Sequence, residues 1–168
     1  KFAEAGGCDV GCMTVGFQLE IIEQQLEDAV AKGAKILVGG KRLDDTLHFP
    51  PTVVVDVTHD MALMMEETFG AVLPIMKFKT EADAIRLAND SPYGLSASVW
   101  SKDLKRAERV ARAIRTGNVS INNHMLTEGN PALPFGGIKE SGLGREGSKY
   151  GMDDFLEIKY INMSGLDR

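Results

Sequence analysis

Cysteine is scarce in this 168-residue sequence, and the two that occur, Cys8 and Cys12, stand too close together to frame a disulfide-bonded fold. No second Cys or His pair at zinc-ligand spacing follows them, so both read as free thiols. Long hydrophobic runs are missing as well. No stretch approaches the roughly 20 apolar residues of a membrane span, and the start, Lys1 to Cys12, shows no charged-then-apolar leader pattern. These absences point to a cytosolic protein with no membrane partner. Basic charge is not in excess either: 24 acidic and 19 basic residues leave a net charge of -5. The cations are scattered among acids instead of gathered in a stripe, so nucleic acid is not expected as a partner. An initiating methionine is absent too, which leads us to expect further sequence upstream of Lys1.

With 43% apolar and 26% charged residues, the composition is that of a soluble domain with material for a core, or of one piece of a larger unit. Helical periodicity is clearest over Gln18 to Lys32, where Leu19, Ile22, Leu26, Ala29 and Val30 recur at three- and four-residue spacings. Gly33 ends it, and Ala34 to Val38 is a short β-prone run closed by Gly39-Gly40. Further β-prone runs occupy Thr52 to Val57, Val72 to Phe78, Leu95 to Trp100 and Val119 to Asn122. Helical patterns fall after Thr80, up to the turn signal Asn89-Asp90-Ser91-Pro92, and over Lys102 to Ile114. This alternation predicts an α/β fold with an open, mostly parallel sheet and flanking helices. Asn130 to Gly147 is rich in Gly and Pro, a short helix is expected around Ser148 to Phe155, and Leu156 to Met163 alternates like a strand. That strand is either an edge awaiting a partner or an edge of this same domain.

Three motifs compete for a chemical role. Gly142-Leu143-Gly144-Arg145-Glu146-Gly147 has the spacing of a dinucleotide-binding loop. That mechanism needs a strand before it, a helix after it and an acid about 20 positions on; a Pro/Gly loop precedes Gly142 and only a short tail follows, so a structural loop is the better reading. A thiol nucleophile at Cys8 or Cys12 needs a depressed pKa or a neighbouring base. Asp9 would work in the opposite direction, and His48, His59 and His124 are distant in sequence. Glu66-Glu67-Thr68-Phe69-Gly70 could be a capped surface turn, yet a carboxylate can accept from both hydroxyls of a ribose and a phenyl ring can pack on a cofactor.

Glu67-Thr68-Phe69-Gly70 followed by a strand, then Asn89-Asp90-Ser91-Pro92-Tyr93-Gly94-Leu95-Ser96-Ala97-Ser98-Val99, then Pro134-Phe135-Gly136-Gly137-Ile138-Lys139-Glu140-Ser141-Gly142-Leu143-Gly144-Arg145-Glu146, resembles the ordered motif set of the aldehyde dehydrogenase superfamily. The resemblance runs from about Gly11 to Tyr160. It implies the C-terminal part of a catalytic domain over 1–155 and an oligomerisation strand with tail over 156–168. By the same resemblance Glu67 would hold the hydroxyls of a nicotinamide ribose, Phe69 would contact the nicotinamide side, and Phe135 would lie near the aldehyde pocket. Asn123 to Leu133 would shape substrate choice. The implied cofactor is NAD or NADP, the implied substrate a small aldehyde, and the implied assembly a homo-oligomer.

In that family a cysteine thiolate attacks the aldehyde, amide donors hold the oxyanion, hydride passes from the thiohemiacetal to the nicotinamide, and a glutamate activates water against the thioester. Nucleophile and base both precede the region this chain covers. Cys8 and Cys12 lie past the nucleophile's place and lack its Gly/Gln surroundings, so no catalytic residue is assigned and the chain alone is expected to be inactive. Two departures stand out: Cys12 and Ala71 occupy positions where many relatives carry proline, leaving the backbone freer there. The alternative is a stand-alone, non-catalytic interaction protein that assembles through its C-terminal strand.

Overall fold

The computed structural model describes residues 10–43, 46–124 and 130–165. The chain divides into two compact units, Lys1–Lys79 and Thr80–Arg168.

The first unit is built on helix α1 (Gly16–Ala31). Its apolar residues fall where the sequence spacing puts them: Leu19, Ile22, Leu26 and Ala29 are all buried on one face. Gly33, at a φ of 101°, turns the chain out of the helix, and the Ala34 amide closes the end by donating to the Ala29 carbonyl at 2.9 Å. Strand β1 (Lys35–Val38) then pairs antiparallel with β2 (Thr52–Val55), and β2 pairs parallel with β3 (Val72–Ile75). Between β2 and β3 lies a single-turn helix, α2 (Ala62–Met65), for which the sequence carries no periodic signal. Phe49, Val54, Val57, Met61 and Leu63 meet the α1 face to complete one hydrophobic core.

The second unit opens with helix α3 (Glu81–Asn89), capped by the Thr80 hydroxyl, which accepts from the Asp83 amide at 3.1 Å. After β4 (Tyr93–Gly94), strand β5 (Ser96–Val99) leads into helix α4 (Leu104–Ala113), and β6 (Asn118–Ile121) returns to pair parallel with β5. Strand–helix–parallel strand is the unit anticipated from the sequence. Arg109 on α4 grips both carboxylate oxygens of Glu81 on α3, at 2.7 and 2.8 Å, a fork geometry that sets the two helices in register. A two-residue strand, β7 (Ile138–Lys139), pairs antiparallel with β4. The chain then enters a 3-10 helix, Lys149–Phe155.

The α/β class is as expected. Of the four strand pairings among the described residues two, β2-β3 and β5-β6, are parallel and two, β1-β2 and β4-β7, are antiparallel. They are distributed over three small sheets, β1-β2-β3, β4-β7 and β5-β6, instead of one continuous sheet. Leu156 to Met163, anticipated as a strand, pairs with nothing among the described residues: Ile158, Tyr160, Ile161 and Met163 are all exposed. Burial differs sharply between the units. Among the described residues of the second, Ala107 is the only buried hydrophobic side chain, whereas ten such residues fill the first.

Candidate functional site

The segment Glu67-Thr68-Phe69-Gly70 links α2 to β3 in the first unit. One stripe of α1 holds it by three contacts. Gln18 Nε2 donates to the Thr68 carbonyl, and Gln25 Nε2 donates to the Glu67 carbonyl at 3.2 Å. The Thr68 hydroxyl completes the set by donating to Gln25 Oε1 at 2.7 Å. Residues 18, 22 and 25 share a helix face, and Ile22, midway between the two glutamines, lies so close to Gly70 that a Cβ there would collide with it. A side chain at position 70 would therefore require the Ile22 tip to shift.

Held this way, the chain passes through Phe69 at a φ of 45°, a conformation that a bulky residue adopts only where its surroundings impose it. The consequence is that the Thr68 side chain meets the helix while those of Glu67 and Phe69 are left in solvent. Phe69 is 78% exposed and Glu67 is exposed beside it. The anchored backbone thus displays the Glu67 carboxylate, an acceptor-only group, two residues from an exposed phenyl ring. A diol flanked by an aromatic ring, the nicotinamide riboside half of a dinucleotide, fits this donor and acceptor set.

Phe135 belongs to the second unit. Its amide donates to the Glu146 carbonyl at 2.9 Å and its carbonyl accepts from the Glu146 amide at 2.7 Å. This bridge closes the Gly-rich loop and leaves the half-buried ring facing a cleft of about 610 Å³ lined also by Leu95, Ser141, Arg145, Met152 and Phe155. Glycines in and beside the loop serve close packing: a Cβ on Gly117, just before β6, would run into the Gly136 carbonyl, and one on Gly136 into the Gly144 carbonyl. Arg145 is consumed internally, donating through Nη1 to the carbonyls of Gly137 at 2.8 Å and Gly144 at 2.6 Å, while its amide donates to Asp154 Oδ2 at 3.2 Å. With Arg145 Nη1 and the amides of Gly142, Arg145 and Glu146 bonded within the protein itself, Gly142 to Gly147 reads as a structural loop, in agreement with the sequence reading.

The Asn89–Val99 and Pro134–Glu146 blocks are bound to each other. Lys139 Nζ donates to the carbonyls of Asn89 at 3.1 Å and Ser91 at 3.0 Å, and the Gly94 amide donates to Ser141 Oγ at 2.9 Å. Asn89 in turn secures the end of α4, its Nδ2 donating to the Ala113 carbonyl at 2.9 Å while its Oδ1 accepts from the Arg115 amide at 2.6 Å. These bonds give both motifs a scaffolding role, while Phe135, Ser141, Arg145 and Glu146 of the second also line the cleft. Cys12 is an exposed free thiol, and Cys8 lies outside the described residues, as do Met125 and Glu128 of the Asn123–Leu133 segment. Among the described residues no cluster of His, Cys, Asp or Glu could hold a metal ion, and no helix is long and apolar enough to cross a membrane.

Motif reading missed Gln18 and Gln25. The available signal was Gln25 itself, a polar residue standing on the apolar stripe between Ile22 and Leu26, where an amide must find buried partners.

The sequence profile of the Aldehyde dehydrogenase family matches residues 3–161. The chain is 46% identical over 158 residues to glutarate-semialdehyde dehydrogenase of Pseudomonas putida, covering 94% of this chain and 32% of that protein. It is 50% identical over 147 residues to the mitochondrial succinate-semialdehyde dehydrogenase of Oryza sativa subsp. japonica, covering 87% and 28% respectively. Among solved structures, succinate-semialdehyde dehydrogenase from Burkholderia pseudomallei superposes with a TM-score of 0.87 at 43% identity, over 94% of this chain and 32% of that one. Betaine aldehyde dehydrogenase from Staphylococcus aureus, crystallised with NAD+, superposes with a TM-score of 0.85 at 41% identity, over 91% and 32%. The chain thus spans less than a third of the length of these curated relatives. A profile match along nearly the whole chain, and close superposition on solved aldehyde dehydrogenases, lead to one assignment: the chain belongs to the aldehyde dehydrogenase family.

Proposed function

We propose that the chain is the C-terminal part of an NAD(P)-dependent aldehyde dehydrogenase that oxidises an aldehyde to a carboxylic acid through a cysteine-bound thiohemiacetal and thioester. The observation that carries this reading is the Glu67–Gly70 turn, whose backbone is anchored to α1 while Glu67 and Phe69 stay exposed. Glu67 accepts hydrogen bonds from the nicotinamide ribose and orients it, and Phe69 packs beside the nicotinamide. Phe135 lines the aldehyde pocket, its main chain steadied by Glu146, and Asn123 to Leu133 shapes substrate choice. The cofactor, NAD or NADP, supplies the hydride acceptor. The named substrates of the relatives include succinate semialdehyde, glutarate semialdehyde and betaine aldehyde, so the proposal reaches the reaction class and not one aldehyde.

Nucleophilic attack and water activation fall to a cysteine and a glutamate outside this chain, which by itself is inactive. The sparse burial in the second unit supports this reading, since a piece of a larger domain leaves apolar surface for its other parts to cover. The decisive experiment is Glu67→Gln in the full-length enzyme. Weaker cofactor binding and slower hydride transfer are expected; kinetics indistinguishable from the parent would sink the assignment.

The tail favours a further element of the same proposal, assembly into a homo-oligomer. Ile158 is 98% exposed and Tyr160 84%, in a segment of alternating pattern that has no strand partner among the described residues. Strand pairing with another copy would satisfy its backbone and cover those side chains. Removing the residues from Leu156 onward should lower the mass measured by light scattering, and an unchanged mass would argue against it.

A further inference from the structure

We propose that Gln25 is a positioning residue for cofactor binding: from inside α1 it sets the backbone register at which the Glu67 carboxylate meets the nicotinamide ribose. This rests on the reading of Glu67 given above and goes beyond it, because Gln25 touches neither cofactor nor substrate.

Gln25 is 2% exposed, one of two polar residues buried among the described residues of the chain. A primary amide in such a place must be bonded at both ends. Its two ends bond two successive residues: Nε2 donates to the Glu67 carbonyl, and Oε1 accepts from the Thr68 hydroxyl. An amide bonded to adjacent residues constrains both the distance and the rotation of that backbone. The left-handed Phe69 follows immediately, and a strained residue persists only where its neighbours leave it no choice.

A leucine at position 25 would fill a similar volume and bury no polar atom of its own, but it would strip the Glu67 carbonyl and the Thr68 hydroxyl of these bonds. What glutamine adds is directional hold on residues 67 and 68. Ligand-contacting groups perform when the residues behind them fix their geometry, and Gln25 stands directly behind Glu67 in this sense.

The test uses the full-length enzyme with four variants: Gln25→Leu, Thr68→Val, the two combined, and Glu67→Gln. Three quantities are read: NADH affinity by fluorescence titration without substrate, hydrogen exchange of the peptide spanning 66–70, and melting temperature. Gln25→Leu is expected to weaken NADH binding about tenfold and to speed exchange in 66–70, with a melting temperature lowered by only a few degrees. Thr68→Val removes one hydroxyl and leaves Gln25 in place, so it reads the same coupling even where Gln25→Leu fails to fold. It should weaken binding too, and the double variant should be no weaker than the stronger single one. Parent-like affinity in Gln25→Leu or, where that variant does not fold, in Thr68→Val, beside weakened affinity in Glu67→Gln, overturns the proposal and leaves the ribose reading standing. Unchanged affinity in Glu67→Gln overturns the ribose reading, and with it the role given to Gln25. Fully additive losses in the double variant also count against the proposal, since they would show that Gln25 and Thr68 act separately.

Discussion

The Lys139 ammonium donates to the Asn89 carbonyl at 3.1 Å across fifty residues of sequence. This bond and its twin to Ser91 explain why a lysine sits in a Gly-rich loop at a left-handed φ of 57°. The charge neutralises the end of α3 and the turn after it, where main-chain carbonyls point outward without helical partners.

Replacing Lys139 with methionine keeps the stem and removes the donor. Two charge-assisted bonds are lost, and the expected cost is about 2 kcal/mol. The midpoint of urea unfolding should fall accordingly.

Two glycines should respond in opposite directions to alanine. A Cβ on Gly117 runs into the Gly136 backbone, which no side-chain rotation can relieve, so Gly117→Ala should destabilise by more than ~2 kcal/mol. Gly16 begins α1 with open space around it, and Gly16→Ala should stabilise by about 0.5 kcal/mol through a less flexible unfolded chain and better helix propensity. Paired thermal melts decide both.

Acid should weaken the first unit by a named route. Glu23 accepts from Arg42 at 2.7 and 2.5 Å, and this hydrogen-bonded guanidinium, with its charge, lowers the Glu23 pKa below its ordinary 4.5. Asp56 is likewise lowered from 3.8, first by its bond to Lys35 and then by the charges of Lys35 and Lys77. A carboxylate whose pKa is depressed by folding contributes stability that is fully present above the unfolded value and is lost as pH falls through the folded one. Melting temperature should therefore hold steady down to about pH 5 and then decline, with its slope reduced in Glu23→Gln. Half-exposed pairs of this kind contribute little each, so the decline should be gradual.

Phe135 offers a functional prediction. Its backbone is bridged to Glu146 in both directions, so Phe135→Ala should empty part of the cleft without moving the loop. In the full-length enzyme we expect KM for the aldehyde to rise while NADH affinity stays constant. A fall in NADH affinity of equal size would show that the residue serves the cofactor instead.

Periodicity located most of the elements because helices and strands impose spacings of three to four and of two on any chain that buries one face. Leu19, Ile22, Leu26 and Ala29 marked α1 in this way, and Thr80 and Asn89-Asp90-Ser91-Pro92 marked the two ends of α3 through local hydrogen bonding and backbone preference. The single-turn α2 had no such mark, since four residues are too few to show a period. The Leu156–Met163 pattern called for a strand, but pattern describes only which side chains share a face; a ladder forms when a second backbone lies alongside.

The candidate site divides along the same line. That Glu67, Phe69 and Phe135 are worth attention followed from the order and spacing of three motifs, information carried by the sequence by itself. Which of their neighbours are scaffold was decided by tertiary structure alone. Gln25 lies 42 residues from Glu67 and reaches it only because α1 packs behind the turn, and Arg145 Nη1 is engaged by the carbonyls of Gly137 and Gly144. Hydrogen bonds between distant residues depend on ångström-scale positions set by the whole packed chain, and a linear pattern encodes periodicity and local preference but not those distances.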